Sequence, residues 1–287
     1  MPSDEPAQPS RQHATSASGL SFDHVAIAVR RPTDPWPVFA DVLGGTYLDR
    51  GTNPGYGWTQ LRFANGFVVE GLNPEPDDDA DFLTRFIDRH GPGPHHLTFK
   101  VPDLDVALDV ARAAGFDPQG EDRSDPDWHE AFLHPDQAHG IVIQLAQVGD
   151  GRQPPPPQPE GFPDLQFDQP VASLGRVVHA VADIEGALAL FRDVLGGRVL
   201  SSGAAVDGNH WFELGWDGPG RLRLLEGAHA DIAEWVGDRP GRLRHLFFNF
   251  DEPQLVPGAN EVAENRWVLD ADDVLGTRLV IASNARP

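Results

Sequence analysis

Two histidines, one glutamate and one glutamine are the residues through which this chain can hold a metal ion. His24 lies in the segment SFDHVAIAV and His96 in the similar segment GPGPHHLTFKV. Glu70 and Gln144 are polar residues within later apolar runs. The sequence contains no cysteine, so an ion must be bound through nitrogen and oxygen, which suits zinc, cobalt, nickel, manganese or iron. The pattern predicts a divalent-metal site formed by His24, Glu70, His96 and Gln144.

Each of these residues also has a structural interpretation when it is taken alone. A single buried histidine, carboxylate or amide is more often a core side chain with a hydrogen-bond partner. The metal interpretation depends on position, because the histidines lie on the first strand of their unit and the other two residues on the last. Aligning Asp23-His24 with His95-His96 selects His96 as the ligand and directs His95 to the opposite face.

The elements that must position these residues follow a repeated order of strand, helix and three strands. In the first unit, Asn65-Gly66 between two strand-like runs predicts a two-residue hairpin turn. That turn pairs Leu61 with Glu70 and places Trp58 on the opposite face of the sheet. The second unit repeats the order in HHLTFKV, LDVALDVARAAG, HEAFLHP and HGIVIQLAQ.

The chain divides into two related halves. Residues 1–19 are polar and without periodicity, so we expect a disordered leader there, followed by an N-terminal domain at residues 20–148 that carries the metal site. Residues 149–170 contain four consecutive prolines and form an extended linker. Residues 171–287 repeat the pattern of the first half, including the shared F-x-D-V-L-G-G, so the chain holds four βαβββ units.

The second half is predicted to be a degenerate copy without a metal. The residues aligned with His24, Glu70, His96 and Gln144 are Arg176, Glu226, His245 and Val280 or a neighbour. Arg176 puts a positive charge where a cation would bind, and Glu226 is expected to form a salt bridge with it.

These motifs resemble those of the vicinal oxygen chelate superfamily, which includes glyoxalase I, methylmalonyl-CoA epimerases, fosfomycin-resistance proteins and extradiol dioxygenases. The resemblance is carried by DHVAIAV, by the G-P-G-x-H-H-L-x-F-x-V segment and by FLHPDQAHGIVIQL, and it covers residues 21–148. It implies an α+β fold of tandem domains, each built from paired βαβββ modules that form an open, cup-shaped sheet. It also implies His24, Glu70, His96 and Gln144 as the ligands.

Three functions follow from this resemblance. The first is an isomerase or lyase of glyoxalase or epimerase type, in which a divalent ion stabilises an enolate of a carbonyl or thioester substrate while Glu70 moves a proton. The second is a non-haem Fe(II) dioxygenase of extradiol type, because two histidines and a carboxylate match a facial triad. The third is a protein that sequesters a small molecule, as the bleomycin-resistance members do.

The chain departs from the epimerases at two points. Those proteins carry glutamine at the position of Glu70 and glutamate at that of Gln144, the reverse of this sequence. They also have a catalytic carboxylate on the strand before the one that carries Glu70, where the predicted register leaves no acid. Glu130 is a back-up base, although a solvated strand position is expected for it.

Composition limits the partners. A formal net charge of −22 and a pI of about 4.7 repel phosphate backbones and anionic lipids, so neither nucleic acid nor membrane is expected as a partner. No apolar run is long enough to span a bilayer, and the first residues lack the apolar core of a signal peptide, which predicts a cytoplasmic protein. With four modules in one chain, we expect a monomer with an internal pseudodimer, or a homodimer, that acts on a small molecule.

Overall fold

The structure is a computed structural model that describes residues 19–75, 82–149, 154–164, 169–204, 208–227 and 230–283. The leader predicted for the N-terminus lies outside the described residues except for its last position, and so do parts of the predicted linker. Among the described helices, none combines the length and the apolar character that crossing a membrane requires.

The first half consists of two βαβββ units joined by a helix. Its elements are β1 (Ser21–Ala28), a π-helical segment (Trp36–Val42), β2 (Thr46–Asn53), β3 (Tyr56–Arg62), β4 (Val68–Pro74), the joining helix α1 (Phe82–His90), β5 (Gly93–Lys100), α2 (Leu104–Ala113), β6 (Gln119–Asp125), β7 (Trp128–Leu133) and β8 (Val142–Val148). Helix α2 is capped by Asp103, whose side chain accepts a hydrogen bond from the Val106 amide at 3.1 Å.

The second half repeats this order. Its elements are β9 (Ser173–Val181), α3 (Ile184–Leu188) with a π-helical continuation (Ala189–Val194), β10 (Arg198–Ala204), β11 (His210–Gly215), β12 (Arg221–Glu226), α4 (Ala230–Val236), β13 (Gly241–Asn249), a 3₁₀ turn (Pro253–Leu255), β14 (Asn260–Ala263), β15 (Arg266–Leu269), a second 3₁₀ turn (Ala271–Asp273) and β16 (Leu279–Ala282). In the last unit a 3₁₀ turn therefore takes the place of the helix.

Each half forms one eight-stranded mixed sheet with the same topology. The strand orders are β2-β3-β4-β1-β5-β8-β7-β6 and β10-β11-β12-β9-β13-β16-β15-β14. The two central strands of each sheet pair antiparallel, and each pairs on its other side, in parallel, with the last strand of its own unit. This topology confirms the predicted α+β fold of tandem domains with cup-shaped sheets.

The hairpin between β3 and β4 differs from the predicted two-residue turn. The Phe63 amide donates to the Phe67 carbonyl at 3.0 Å, and the Gly66 amide donates to the Phe63 carbonyl at 2.8 Å. Gly66 has a φ of +87°. This is a three-residue loop whose glycine forms a bulge, so the chain contains one more loop residue than the Asn-Gly signal predicts.

The extra loop residue changes which side chains share the face of Glu70. The predicted pairing of Leu61 with Glu70 is wrong, because Gln60 lies opposite Glu70. Since opposite residues share a face, Gln60 and Trp58 project to the side of Glu70. Leu61 projects to the other side and is part of the hydrophobic core.

One hydrophobic core is shared by the two halves. It contains one face of each sheet and the helices that pack on that face. The rings of Phe99 in the first sheet and Trp216 in the second have centroids 5.0 Å apart, as do those of Phe63 and Phe248. The opposite face of each sheet is the inner wall of a cup, and the candidate ligands lie on that face of the first sheet.

Candidate metal centre

Three side chains of the predicted ligand set meet in the first cup. His24 on β1 and His96 on β5 project from the two central strands, and Glu70 projects from the neighbouring β4. Their exposed fractions are 1%, 5% and 6%. Glu70 Oε1 lies 3.5 Å from His24 Nε2 and 3.8 Å from His96 Nε2. One potential ligand atom of each residue lies within 4.8 Å of the other two.

These distances are close to those between the ligands of a single divalent ion. Nitrogen and oxygen ligands bound tetrahedrally at about 2.0–2.2 Å lie roughly 3.3–3.6 Å from one another. His96 Nε2 is buried and has no hydrogen-bond partner in the described part of the chain. A buried polar atom without a partner is unfavourable, and a cation between the histidines and Glu70 would provide one. The cluster can therefore bind a divalent metal.

Asp23 contacts the nitrogen of His24 that faces away from the cluster. One oxygen of its carboxylate lies 2.9 Å from His24 Nδ1, and the other lies 2.7 Å from Lys100 Nζ. Asp23 is an extra residue on β1, because its two neighbours pair with consecutive residues of β5. A carboxylate on the distal nitrogen of a metal-binding histidine fixes the tautomer and the ring orientation.

The two candidate histidine ligands have opposite pKa shifts. Burial lowers the pKa of His24, but the charge of Glu70 and the hydrogen bond to Asp23 outweigh it and raise this pKa to about 9. Burial, reinforced by His95 and His24, holds the pKa of His96 well below its usual value. The negative potential that favours a proton on His24 also favours a cation, which displaces that proton when it binds.

His95 does not point away from His96 as the alternation of a regular strand predicts. It is a bulged residue of β5, because His96 and Pro94 pair with consecutive residues of β1. Its Nδ1 lies 3.1 Å from His96 Nδ1, and its ring centroid lies 5.0 Å from that of Phe86 in α1. The bulge thus places both histidine rings on the same side.

Gln144 lies beside the cluster, next to Glu130. Its Oε1 accepts a hydrogen bond from the Thr98 hydroxyl at 2.5 Å, and that hydroxyl oxygen is 2.8 Å from His24 Nε2. Its Nε2 donates to Glu130 Oε2 at 2.6 Å, and Trp128 Nε1 donates to the same oxygen at 2.8 Å. Thr98 therefore links Gln144 to the cluster, and direct ligation by Gln144 stays a prediction.

Glu130 is a half-buried residue of the cup, not the solvated residue that the sequence suggests. Burial raises the pKa of its carboxyl, and the charges of Asp122 and Glu70 add to this, while its hydrogen bonds from Trp128 and Gln144 oppose it. A carboxyl with a raised pKa beside a candidate metal site is suited to proton transfer.

Gln60 is a residue of the site that sequence reasoning missed. It is 8% exposed, and its Nε2 donates to Glu70 Oε2 at 2.8 Å. The bond leaves Glu70 Oε1 directed at the histidines. A three-residue loop between β3 and β4, in place of the predicted two-residue turn, would have placed Gln60 on this face.

The second cup carries different residues at the equivalent positions. Strand pairing confirms three predicted equivalences, which are Arg176 with His24, His245 with His96 and Val280 with Gln144. The prediction for Glu226 is wrong, since Arg223 occupies the position of Glu70. Glu226 instead accepts a hydrogen bond from the first amide of α3 at 3.0 Å. The predicted salt bridge is also wrong, because Arg176 pairs with Glu213 at 3.1 Å.

Known proteins share the sequence pattern and the fold. A sequence model described as the glyoxalase-like domain matches residues 22–195. A mutant of 4-hydroxymandelate synthase from Streptomyces coelicolor is 15% identical, with a TM-score of 0.59 over 93% of this chain and 94% of that one. A hypothetical protein from Staphylococcus aureus is 11% identical, with a TM-score of 0.56 over 92% of this chain and 99% of that one. These two structures resemble the chain over both of its halves, so the likeness in fold is not confined to the first half.

A third structure covers only part of the chain. Methylmalonyl-CoA epimerase from Mycobacterium tuberculosis is 26% identical, with a TM-score of 0.42 over 48% of this chain and 94% of that one. No curated protein matches the chain in sequence.

Proposed function

Because this chain belongs to the glyoxalase-like domain family, we propose that its first cup is the active site of a metal-dependent isomerase or lyase. The substrate would be a small carbonyl compound or thioester with an acidic proton next to the carbonyl. The proposed ligands of a divalent ion (Zn, Co, Ni, Mn or Fe) are His24, Glu70, His96 and Gln144. The main support is the position of two carboxylates, Glu70 on β4 and Glu130 on β7, on either side of the histidine-bearing strands.

Glu70 is the carboxylate closest to the histidines. A bound divalent ion would act as a Lewis acid on the carbonyl oxygen and stabilise the charge of the enolate. One oxygen of Glu70 accepts the hydrogen bond from Gln60, and the other faces both histidines. This arrangement supports Glu70 as a ligand and, as the sequence suggests, as a group that accepts the substrate proton.

Glu130 is the second proposed acid–base group. Its Oε2 accepts the hydrogen bonds from Trp128 and Gln144, whereas its Oε1 has no such partner among the described residues. Its raised pKa brings the protonated form closer in energy to the ionised one. Epimerisation next to a carbonyl removes a proton from one face of the carbon and returns one to the other, which requires an acid–base group on each side. Glu70 and Glu130 would provide them.

A second function is supported by the ligand set itself. His24, His96 and Glu70 form a group of two histidines and one carboxylate, the facial triad of non-haem Fe(II) oxygenases. In a dioxygenase, Glu130 and Gln144 would orient the substrate. They would not transfer protons to or from a carbon atom of the substrate. The third prediction, a sequestering protein, requires no metal.

Metal analysis of protein purified without added metal, followed by reconstitution with single ions, tests the proposal. We expect Zn, Co, Ni or Mn, and metal-dependent incorporation of solvent deuterium into an α-acidic ketone or thioester. Iron together with oxygen uptake on a catechol would identify a dioxygenase instead. Failure to retain or take up any ion would contradict both functions and favour sequestration.

His96→Ala and His245→Ala are a matched pair, since they truncate equivalent positions of the two cups. We expect His96→Ala to lower metal affinity at least about tenfold, because it removes a ligand, and His245→Ala to leave the affinity unchanged. Equal metal loss in the two histidine variants would contradict the role of His96 as a ligand.

Glu130→Gln should retain the metal but lower deuterium incorporation by roughly 10²–10⁴-fold. Normal exchange in this variant would contradict the role of Glu130 as an acid–base group.

A further inference from the structure

The second cup collects arginines at the positions that the first cup gives to its candidate ligands and their neighbours. The equivalences read from the strand pairing are Arg176 with His24, Arg223 with Glu70, Arg266 with Glu130 and Arg278 with Val142. All four arginines line one cavity of about 320 Å³. Positively charged side chains of the second cup therefore occupy the positions that correspond to the candidate cation site of the first cup.

Two of the guanidinium groups are held by aromatic rings and by a shared carboxylate. The guanidinium carbon of Arg176 lies 4.1 Å from the ring centre of Phe247, and that of Arg223 lies 4.3 Å from the ring centre of Trp211. Glu213 Oε2 lies 3.1 Å from Arg176 Nη1 and 2.7 Å from Arg223 Nη2. Groups held in this way lose little conformational freedom when an anion binds.

Positive charge exceeds negative charge in this cup. Glu213 is shared by two arginines, and Arg278 faces Asp270 at 3.8 Å, where the Asp270 side chain is 72% exposed. Among the described residues, no acidic side chain lies within salt-bridge distance of Arg266. Burial and the surrounding arginines lower the pKa of His245 to about 3, so this residue is neutral at pH 7. In a protein of net charge −22, an excess of arginines in a cavity indicates an anionic ligand.

Apart from the arginines, His245 and two aromatic rings, the cavity wall is aliphatic. Its aliphatic residues are Val178, Leu225, Val262, Val268 and Val280. An inorganic anion would contact the guanidinium groups and leave this wall uncovered. An anionic group attached to an apolar body would contact both parts of the cavity.

We propose that the second cup binds a small organic anion, with its carboxylate or phosphate group on the arginines that line the cavity and its apolar body against the aliphatic wall. Both oxyanions match the forked donors of arginine. The proposal is independent of the function proposed for the first cup, because every residue that lines this cavity belongs to the second half.

Isothermal titration calorimetry of the full chain with benzoate, phenyl phosphate and inorganic phosphate tests this site. We expect saturable binding of benzoate or phenyl phosphate, at least about tenfold tighter than that of inorganic phosphate because the ring covers apolar wall. The tighter of the two aromatic probes identifies the preferred oxyanion. Arg223→Gln and Arg266→Gln should each weaken binding at least about tenfold.

Arg198→Gln is the matched control, since Arg198 is an exposed residue paired with Asp217 at 3.1 Å. Its binding should equal that of the wild type. Arg266 is itself exposed, so Arg266→Gln should fold normally, and thermal unfolding checks this.

The proposal is overturned by a wild-type protein that binds no probe saturably up to about 10 mM, by unchanged binding in both cup variants, or by equal weakening in the control. Metal binding in the first cup is measured separately, so a failure of that proposal can be distinguished from a failure of this one.

Discussion

Asp23 determines which nitrogen His24 presents to the candidate metal site. His24 and Lys100 contact its two carboxylate oxygens. Burial acts to raise the pKa of Asp23, but the contacts with His24 and Lys100 outweigh it and hold this pKa below its usual range. Asp23 is therefore ionised near neutral pH and accepts the Nδ1 proton of His24, which leaves Nε2 for the cluster.

Asp23→Asn is expected to lower metal affinity about 10–100-fold, because a neutral amide holds the imidazole less firmly and reduces its basicity. Competition with a chromogenic chelator measures the affinity. Asp109→Asn is the control, since Asp109 is an exposed residue of α2 that lies 3.7 Å from Arg112. An affinity for Asp23→Asn equal to that of the control would show that Asp23 does not position the ligand.

The residues of the cluster could be predicted because the repeat marks them. His24 and His96 occupy equivalent points in two similar segments, and position in the repeat is visible in a sequence. Asp23 and His95 could not be placed in the same way. A period of two assigns neighbouring side chains to opposite faces, and nothing in the doublets Asp-His and His-His signals a bulge.

At the scale of elements, the β3–β4 hairpin decides which face of the strand meets Glu70. Its three-residue loop places Gln60 opposite Glu70, where a two-residue turn would place an apolar leucine. A register shift of one residue exchanges the two faces of a strand. The bulge at Gly66 therefore determines which residue meets Glu70, although Gly66 itself lies in the hairpin loop and not in the cluster.

Gly66→Ala is expected to destabilise the protein by about 1 kcal/mol, because a φ of +87° is unfavourable for a residue with a side chain. Space is not the reason, since the nearest heavy atom to an added Cβ is Pro219 Cγ at 3.8 Å. Gly66→Asn should cost less, because asparagine tolerates this region better. Urea unfolding measures both variants. An alanine variant as stable as the wild type, or less harmed than the asparagine variant, would contradict this account.

The order and type of most elements could be predicted from alternating strands, glycine stops and the repeat. The loop length could not, because Asn65-Gly66 fits both a two-residue turn and the end of a three-residue loop. The pairing of Phe63 with Phe67 across the ends of the loop, which the sequence does not show, decides between the two.

At the scale of the whole molecule, the two halves are one packed unit. Trp216 of the second half contacts Phe22 and Phe99 of the first, with ring centroids 5.8 and 5.0 Å apart. His179, also in the second half, is fully buried, and its Nε2 lies 2.7 Å from the backbone carbonyl of His139 in the first half. This hydrogen bond joins the halves through a titratable side chain.

His179 makes stability depend on pH. Burial lowers its pKa to about 4 in the folded protein, against about 6.5 in the unfolded chain. Below pH 6.5 the unfolded chain binds the extra proton, so stability falls as pH drops from 6.5 towards 4. The contribution lost between pH 7 and pH 5 is about 2 kcal/mol.

Urea unfolding of the wild type and His179→Gln at pH 7 and pH 5 measures this loss, because glutamine keeps a donor but does not titrate. We expect the wild type to lose about 2 kcal/mol more than His179→Gln between these pH values. His134→Gln, at an exposed position, should behave as the wild type. The same pH dependence in all three proteins would show that His179 does not titrate on unfolding.

The duplication itself could be predicted, but not every equivalence within it. Glu226 matches Glu70 only when the two Glu-Gly dipeptides are aligned, and the strand ladder places Arg223 at that position. A dipeptide carries too little information to fix a strand register. The shared core was also beyond the sequence, since apolar patterning identifies a buried face without naming the surface that covers it.

The bulges of the central strands have a consequence for how such a chain can change. All four central strands carry one residue outside the ladder, and these residues are Asp23, His95, Gly175 and Arg244. Each of them directly precedes a residue that faces its cup, and these residues are His24, His96, Arg176 and His245. The same irregularity of the backbone is therefore kept in both sheets, although His24 of the first cup is replaced by Arg176 in the second. Duplication of this architecture leaves room for two divergent cups, one with histidines and carboxylates and one with arginines.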